Sequence, residues 1–509
     1  MKIERTRNSI RSTMSGLLNR GINLLIPFVI RTVMIHKLGV EYLGLSTLFV
    51  SLIQVLNLSE LGIGSALVFH MYKPVSEDDF DALSGILWLY KRVYRVIGSV
   101  ILGIGICLMP ILPWLVDVKQ LTGTNVNLYA LFMIYLVNTV ISYWFFAYRK
   151  SLLMAYQRHD LISNINSLVN IGLYVLQILA LLVCPSYYLY ILLMPIFTLA
   201  DNILVALTTG KLYPQIIQRK HTPPTQVHGL LGNVKYMVGH KVGGVVIQSA
   251  DSIVISAFLN LTVLTAYSNY YYVVSALVGL IHVGYNAILA GVGNSILIQS
   301  REKNYELFEE LSFLVFYVVA FCSACLMALY QPFMKLWMGE ELMLPNRTVV
   351  LFVVYFYTWQ FRIIGLNFKD AAGMWKNDAL KPYVGLVLNM TLNIVLVQLI
   401  GVDGVLLATI FVMTMVYFPW ETWVLHKDLF KKSTGKYYRR CLFYAIAAGL
   451  TTWITYSVVS WISGNSLVSF IMKVIVTVFV SNGILLMLTF RIPQRNGLLG
   501  RIKAICNKK

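Results

Sequence analysis

Charge is scarce in this chain. Only 12% of its 509 residues are Asp, Glu, Lys or Arg, against about 25% in a soluble protein. That shortage excludes a soluble globular domain of this length. Acidic residues are the scarcer sign, 22 against 41 basic ones, which leaves a net charge of +19. Cysteine is also sparse: the six cysteines are scattered, which excludes a disulfide framework. Cys322 and Cys325 form a C-x-x-C, but it lies inside an apolar run with no His or acidic residue nearby, so helix packing is the reading for both. No glycine-rich phosphate loop is present, so direct nucleotide hydrolysis is not expected and any active transport must draw on an ion gradient. Long polar segments are missing too. The longest is 210–235, with Lys211, Arg219, Lys220, Pro223 and Pro224. No soluble basic domain exists to hold nucleic acid. The basic start, Lys2 to Arg11, leads into an apolar stretch too long for a signal peptide, with no small-residue cleavage site.

What fills the chain is apolar sequence, 58% of all residues. A transmembrane helix needs roughly 20 such residues. Fourteen candidates can be read, near 14–35, 43–69, 94–116, 127–148, 161–183, 187–209, 236–258, 263–292, 311–330, 347–366, 382–400, 402–424, 441–463 and 467–490. With the N-terminus in the cytoplasm, four basic residues fall in outer segments (Lys37, Lys119, Lys335, Arg347) and three within spans (Arg31, Arg362, Lys473). The other 34 fall in cytoplasmic segments and the span ends that adjoin them. That bias is the positive-inside rule, and it predicts a multi-pass protein of the cell membrane with both termini cytoplasmic. The basic surface then faces anionic membrane lipids rather than nucleic acid.

The expected fold is an all-α polytopic membrane protein: two six-helix lobes followed by two further helices. The first lobe is 1–210, the linker 211–235, the second lobe 236–430, and 431–509 holds the added helices and a basic tail. Shifting the first lobe by 222 residues places Gly62 on Gly284 and Glu60 on His282, and overlays 14–69 on 236–292. Equal spacing of two long helix pairs is what a duplicated transporter shows. Six spans per copy makes the repeat parallel.

Two segments carry a family resemblance. The run Ser15-Gly16-Leu17-Leu18-Asn19-Arg20-Gly21, then Arg31-Thr32-Val33, then Leu38-Gly39-Val40-Glu41-Tyr42-Leu43-Gly44-Leu45, resembles polysaccharide flippases of the Wzx type. So does Leu58-Ser59-Glu60-Leu61-Gly62-Ile63-Gly64-Ser65-Ala66. Those flippases belong to a superfamily that includes multidrug and toxin extrusion (MATE) transporters and lipid II flippases. The resemblance implies a MATE-like pair of lobes working by alternating access, with a polyprenyl-pyrophosphate-linked oligosaccharide as the substrate.

Turning such a lipid over carries a pyrophosphate and many hydroxyls through hydrocarbon, which requires a protected polar path. Arginine suits the pyrophosphate because its planar fork binds two phosphate oxygens. Aromatic rings stack on sugars, and the chain has 31 Tyr, 25 Phe and 10 Trp, although interfacial belts also enrich Tyr and Trp. The candidate substrate-binding or gating residues are Arg31, Asp251, Asn23 and Gln248. Arg31 meets the pyrophosphate or snorkels to outer headgroups near Lys37. Asp251 stands within Gln248-Ser249-Ala250-Asp251-Ser252. It pairs with Arg31 as an outer gate, binds a coupling ion, or bonds its own surroundings. Under the 222-residue shift Arg31 matches position 253, two residues from Asp251.

The ion-coupling candidates, for proton or sodium, are Glu60, His282 and Asp251; for Glu60 and His282 the alternative is a shared helix-packing position. Asn19, Arg20 and Asn23 form a cytoplasmic entrance, or Arg20 anchors its helix end. Arg362 and Lys473 are read as snorkelling. Gly239 and Gly243 allow close helix contact. No cofactor or metal is expected, and a polysaccharide polymerase is the expected partner machinery. The alternative functions are an ion-coupled drug or metabolite exporter and, less favoured, a membrane polysaccharide polymerase. The outer segment 331–346, with Glu340 and Glu341, is short for a polymerase's catalytic loop.

Overall fold

The computed structural model describes residues 5–57, 63–116, 126–219, 234–464 and 466–506, and these form helices joined by short turns. Two compact units result, Met1–Thr265 and Ala266–Lys509.

Unit 1 contains α1 (Arg5–Leu38), α2 (Val40–Leu56), α3 (Ile63–Ser76), α4 (Phe80–Leu108), the short α5 (Leu112–Leu115), α6 (Leu128–Trp144), α7 (Lys150–Ala155), α8 (His159–Val183), α9 (Tyr187–Leu212), the short α10 (Pro214–Ile217) and α11 (Val234–Phe258). The boundary falls within α12 (Leu261–Ile298). Unit 2 continues with α13 (Arg301–Met338), α14 (Asn346–Phe361), α15 (Ile363–Ala371), α16 (Lys381–Ile400), α17 (Val402–Phe411), α18 (Phe418–Val424), α19 (Gly435–Ser460), α20 (Leu467–Thr489) and α21 (Pro493–Cys506). Two π-helical segments, Val412–Tyr417 and Leu425–Phe430, bracket α18 and make 402–430 one continuous rod.

Side-chain caps set where several helices start. Asp79 accepts from the Ala82 N–H at 2.9 Å, and Asn127 accepts from the N–H groups of Tyr129 and Ala130. Each occupies an otherwise unsatisfied helix N-terminus. Within unit 1, α1 packs along α8, α6 on α4 and α9, and α2 on α11. At Gly44 any side chain would run into the Leu261 backbone, so α2 and the first turn of α12 touch main chain to main chain. The Thr265 hydroxyl donates to the Val40 carbonyl at 2.7 Å in the same contact. Within unit 2, α13 is the central helix, flanked by α14, α19 and α20.

Among the described residues, ten helices are long and apolar enough to cross a membrane. The bent pair Leu128–Trp144 and Ala147–Ala155 makes an eleventh. This is a multi-pass membrane protein. Of the fourteen expected spans, these eleven coincide with sequence stretches read as spans. The other three also fall on helices. The stretch 43–69 holds two short helices, α2 and α3, with residues 58–62 between them outside the described residues. The stretch 236–258 falls on α11, Val234–Phe258, of which the apolar part Val242–Phe258 is described throughout. The stretch 263–292 falls within the long helix α12, Leu261–Ile298.

Candidate transport site

A four-residue spacing puts Asn19, Asn23, Pro27 and Arg31 on one face of α1, because an α-helix turns once per about 3.6 residues. The facing helix α8 presents its own polar stripe at Asn170, Tyr174 and Gln177. The two stripes join. Asn19 Nδ2 donates to the Ser163 carbonyl at 3.2 Å. Asn23 Oδ1 accepts from Asn170 Nδ2 at 2.9 Å and from the Tyr174 hydroxyl at 3.0 Å, while Asn23 Nδ2 donates back to the Asn19 carbonyl at 2.8 Å. Gln177 Nε2 then donates to the Tyr190 carbonyl on α9 at 3.2 Å. The half-buried Arg31 lies within electrostatic reach of Tyr190. Tyr190 stacks on Tyr187, their ring centroids 6.1 Å apart, and the Tyr187 hydroxyl continues through Tyr135 to Ser46 at 3.1 and 2.9 Å. A neutral ladder of amides and phenols thus runs through unit 1 with one guanidinium beside it. Each such bond contributes about 0.5–1.5 kcal/mol, so another hydroxyl or amide can exchange for one of its members at small cost.

The other sequence candidates are placed as follows. Gln248 is exposed on α11, whereas Asp251 is buried, with Ser249 and Ser252 buried beside it in sequence. Ser249 Oγ donates to Gln54 Oε1 at 3.2 Å, tying this stretch of α11 to α2. His282 lies on α12 against the Tyr285 ring, centroids 5.7 Å apart. Glu60, with most of its motif, lies outside the described residues.

Unit 2 holds an arrangement that reading the sequence missed. Arg362 grips Glu421 with both prongs, Nε to Oε2 at 3.0 Å and Nη2 to Oε1 at 2.6 Å. Lys381 Nζ bridges Glu421 Oε1 at 2.6 Å and Asp378 Oδ2 at 2.7 Å, and Lys369 reaches the same Asp378 oxygen at 2.7 Å. Tyr417 lays its ring under two of these cations, 5.0 Å from Arg362 and 5.5 Å from Lys381. It is seated where Gly385 leaves no side chain in its way. All five charged side chains are buried, the most exposed being Arg362 at 9%. The expectation that Arg362 snorkels is therefore corrected: its guanidinium turns inward because a bidentate carboxylate awaits it. Lys473 is half-buried, its ammonium 3.5 Å from the Gly464 carbonyl at the helix end. Glu421 was the available signal. A carboxylate this far into the apolar stretch 402–424, whose other acid is Asp403 at its start, needs a cationic partner, and the flanking π-helical turns are frequent companions of functional sites.

Near the cluster, Asn389 Nδ2 donates to Thr409 Oγ1 at 3.0 Å and Asn393 Nδ2 to Asn389 Oδ1 at 3.2 Å. Among the described residues no group of three or more His, Cys, Asp or Glu is placed to hold a metal ion. Unit 2 also contains a cavity of about 680 Å³ between α13, α14 and α19, lined by Met327, Val354, Phe361, Phe418, Leu442 and Trp453 among others.

No protein-family model matches the chain, and no curated sequence does either. Solved structures do. The lipid II flippase MurJ, in an inward closed conformation, superposes with a TM-score of 0.66 at 13% identity, over 94% of this chain and 99% of that one. The chain shares its fold with membrane transporters. An inward-facing multidrug resistance MATE family transporter of the MOP superfamily gives 0.60 at 14% identity, over 81% of this chain and 95% of the other. The eukaryotic MATE transporter AtDTX14 gives 0.53 at 13% identity, over 82% and 96%.

Proposed function

We propose that this protein is a flippase that carries a polyprenyl-pyrophosphate-linked oligosaccharide across the cell membrane by alternating access, for surface polysaccharide synthesis. The observation that carries the reading is the extent of the fold match. It runs over nearly the full length of both chains for the lipid flippase, and over 81% of this chain for the MATE transporter. The geometry of each unit supports it. The amide and phenol ladder of unit 1 suits sugar hydroxyls, and Arg31 suits the pyrophosphate. The apolar cavity of unit 2 suits a prenyl chain. In this reading Arg31 and Asp251 form the outer gate, and a proton or sodium gradient, sensed at Asp251, Glu60 or His282, drives the cycle.

The test is translocation of a polyprenyl-pyrophosphate oligosaccharide in liposomes, read as access of the sugar to an enzyme added outside. Flipping that requires the protein and is lost in Arg31→Ala, with unchanged folding, supports the reading. Exchanging the charges, Arg31→Asp with Asp251→Arg, restores flipping lost in each single variant if the two form a gate. An absence of flipping with any sugar lipid, alongside ion-driven efflux of a cationic drug from the same liposomes, establishes the exporter instead.

A further inference from the structure

In unit 1, where the end of α6 meets the middle of α4, the chain builds a basic pocket with aromatic walls. α6 stops at Trp144 and the chain turns by 48° into Ala147–Ala155. Phe146 makes the turn with φ +60°, a left-handed backbone that a bulky residue rarely adopts. The turn leaves Trp144, Phe145 and Phe146 outward, 36%, 44% and 39% exposed. Gly98 makes the corner possible, since a side chain there would collide with the Trp144 indole, whose Nε1 donates to the Arg95 carbonyl at 3.1 Å.

A cavity of about 530 Å³ opens at this corner, lined by Lys91, Arg95 and Ser99 of α4 together with Trp144, Phe145, Phe146 and Tyr148. Lys91 sits 5.8 Å from the Tyr148 ring centroid. Among the described residues no carboxylate pairs with Lys91 or Arg95, and no carboxylate lines the cavity. Two cations one helical turn apart, in a pocket without an acid, are the complement of a phosphate. Further along α4, Val96, Val100 and Ile104 are 58%, 43% and 47% exposed and form an apolar strip.

We propose that this pocket binds the phosphate headgroup of an anionic phospholipid, with an acyl chain laid along Val96, Val100 and Ile104. The charge complementarity selects the phosphate. The adjoining apolar strip and the aromatic ring of walls select a lipid over a soluble phosphate, because Trp and Tyr seat at the headgroup level of a bilayer. The positive-inside pattern places this corner on the cytoplasmic leaflet, where anionic lipids attract basic residues. The pocket is independent of the ladder on α1 and α8, so the inference does not rest on the proposed flipping activity.

The experiment is native mass spectrometry of the full-length protein released from nanodiscs of phosphatidylcholine and phosphatidylglycerol. Wild type should retain phosphatidylglycerol. Each cation near an anionic surface contributes about fivefold, so Lys91→Gln with Arg95→Gln should weaken retention by about thirtyfold. Lys91→Arg with Arg95→Lys keeps both charges and should keep the lipid, which separates loss of charge from loss of fold. Lys303→Gln, an exposed cation of unit 2, should change nothing. Equal retention by wild type and the neutralised variant overturns the proposal. Displacement of the lipid by inorganic phosphate or glycerol phosphate at matching affinity also overturns it, and marks a soluble-phosphate site instead.

Discussion

The ladder of unit 1 and the charged cluster of unit 2 place polar groups among apolar helices in opposite ways. Unit 1 threads neutral groups through apolar helices, Asn19, Asn23, Asn170, Tyr174 and Gln177, each satisfied by another amide, a phenol or a backbone carbonyl. Unit 2 concentrates charge instead, with Arg362, Lys369, Lys381, Asp378 and Glu421 locked together and buried. Neutral bonds are worth little singly and exchange readily with a hydroxylated ligand. Buried ion pairs hold their partners because an unpaired charge in low dielectric is costly. The comparison teaches that polar residues in one membrane protein divide into a set whose bonds exchange readily and a fixed set that ties α15, α16 and α18 together.

The comparison can be broken most forcefully at Glu421. Glu421→Ala strands Arg362 and leaves Lys369 and Lys381 sharing one carboxylate. It should cost about 3–5 kcal/mol, read as a large drop in thermal unfolding temperature in detergent. The combination Arg362→Met, Lys381→Met and Glu421→Leu should recover most of that loss, because it leaves the Lys369–Asp378 pair balanced. A Glu421→Ala protein as stable as wild type would show that the cluster is not a clamp. Asn23→Leu comes next. It removes the acceptor shared by Asn170 and Tyr174 and should cost about 1–3 kcal/mol, while flipping falls far more than stability does. A loss of stability matching that of Glu421→Ala would erase the distinction between exchangeable and fixed sets. Arg31→Ala should leave the unfolding temperature near wild type while abolishing flipping.

The smallest effect belongs to an exposed pair. The Lys335 ammonium, hydrogen-bonded to Glu340 at 2.5 Å, holds that carboxyl below its ordinary range. Its stabilisation is therefore present above the ordinary carboxylate range and is lost as pH falls through the lowered value. Because Glu340 is exposed and screened, Glu340→Gln should leave both the unfolding temperature and its pH profile unchanged within error.

Much of the fold was readable along the chain. Eleven apolar stretches map onto crossing helices, since hydropathy over about 20 residues is a local property. The polar α1 face was half legible: Asn19, Asn23 and Arg31 stood out as polar residues in an apolar run. Their partners on α8 did not, because nothing in a one-dimensional sequence pairs residue 23 with residues 170 and 174. The buried cluster was missed for the same reason, with Lys369, Asp378 and Lys381 resembling the charges of any short cytoplasmic turn. Arg362 was misread because snorkelling and pairing differ only in which way a long side chain points.

By itself, then, the sequence determined that the chain crosses a membrane many times as helices, because the cost of unpaired backbone in hydrocarbon leaves a run of apolar residues few other options. It also determined where most of those helices lie. The tertiary structure alone decided which polar groups meet, that Glu421 collects two cations from 40 and 59 residues away, and that Asn23 joins a ladder rather than a lipid face. Those outcomes depend on which helix faces pack together, and the free energy of a buried polar group is set by its neighbours in space.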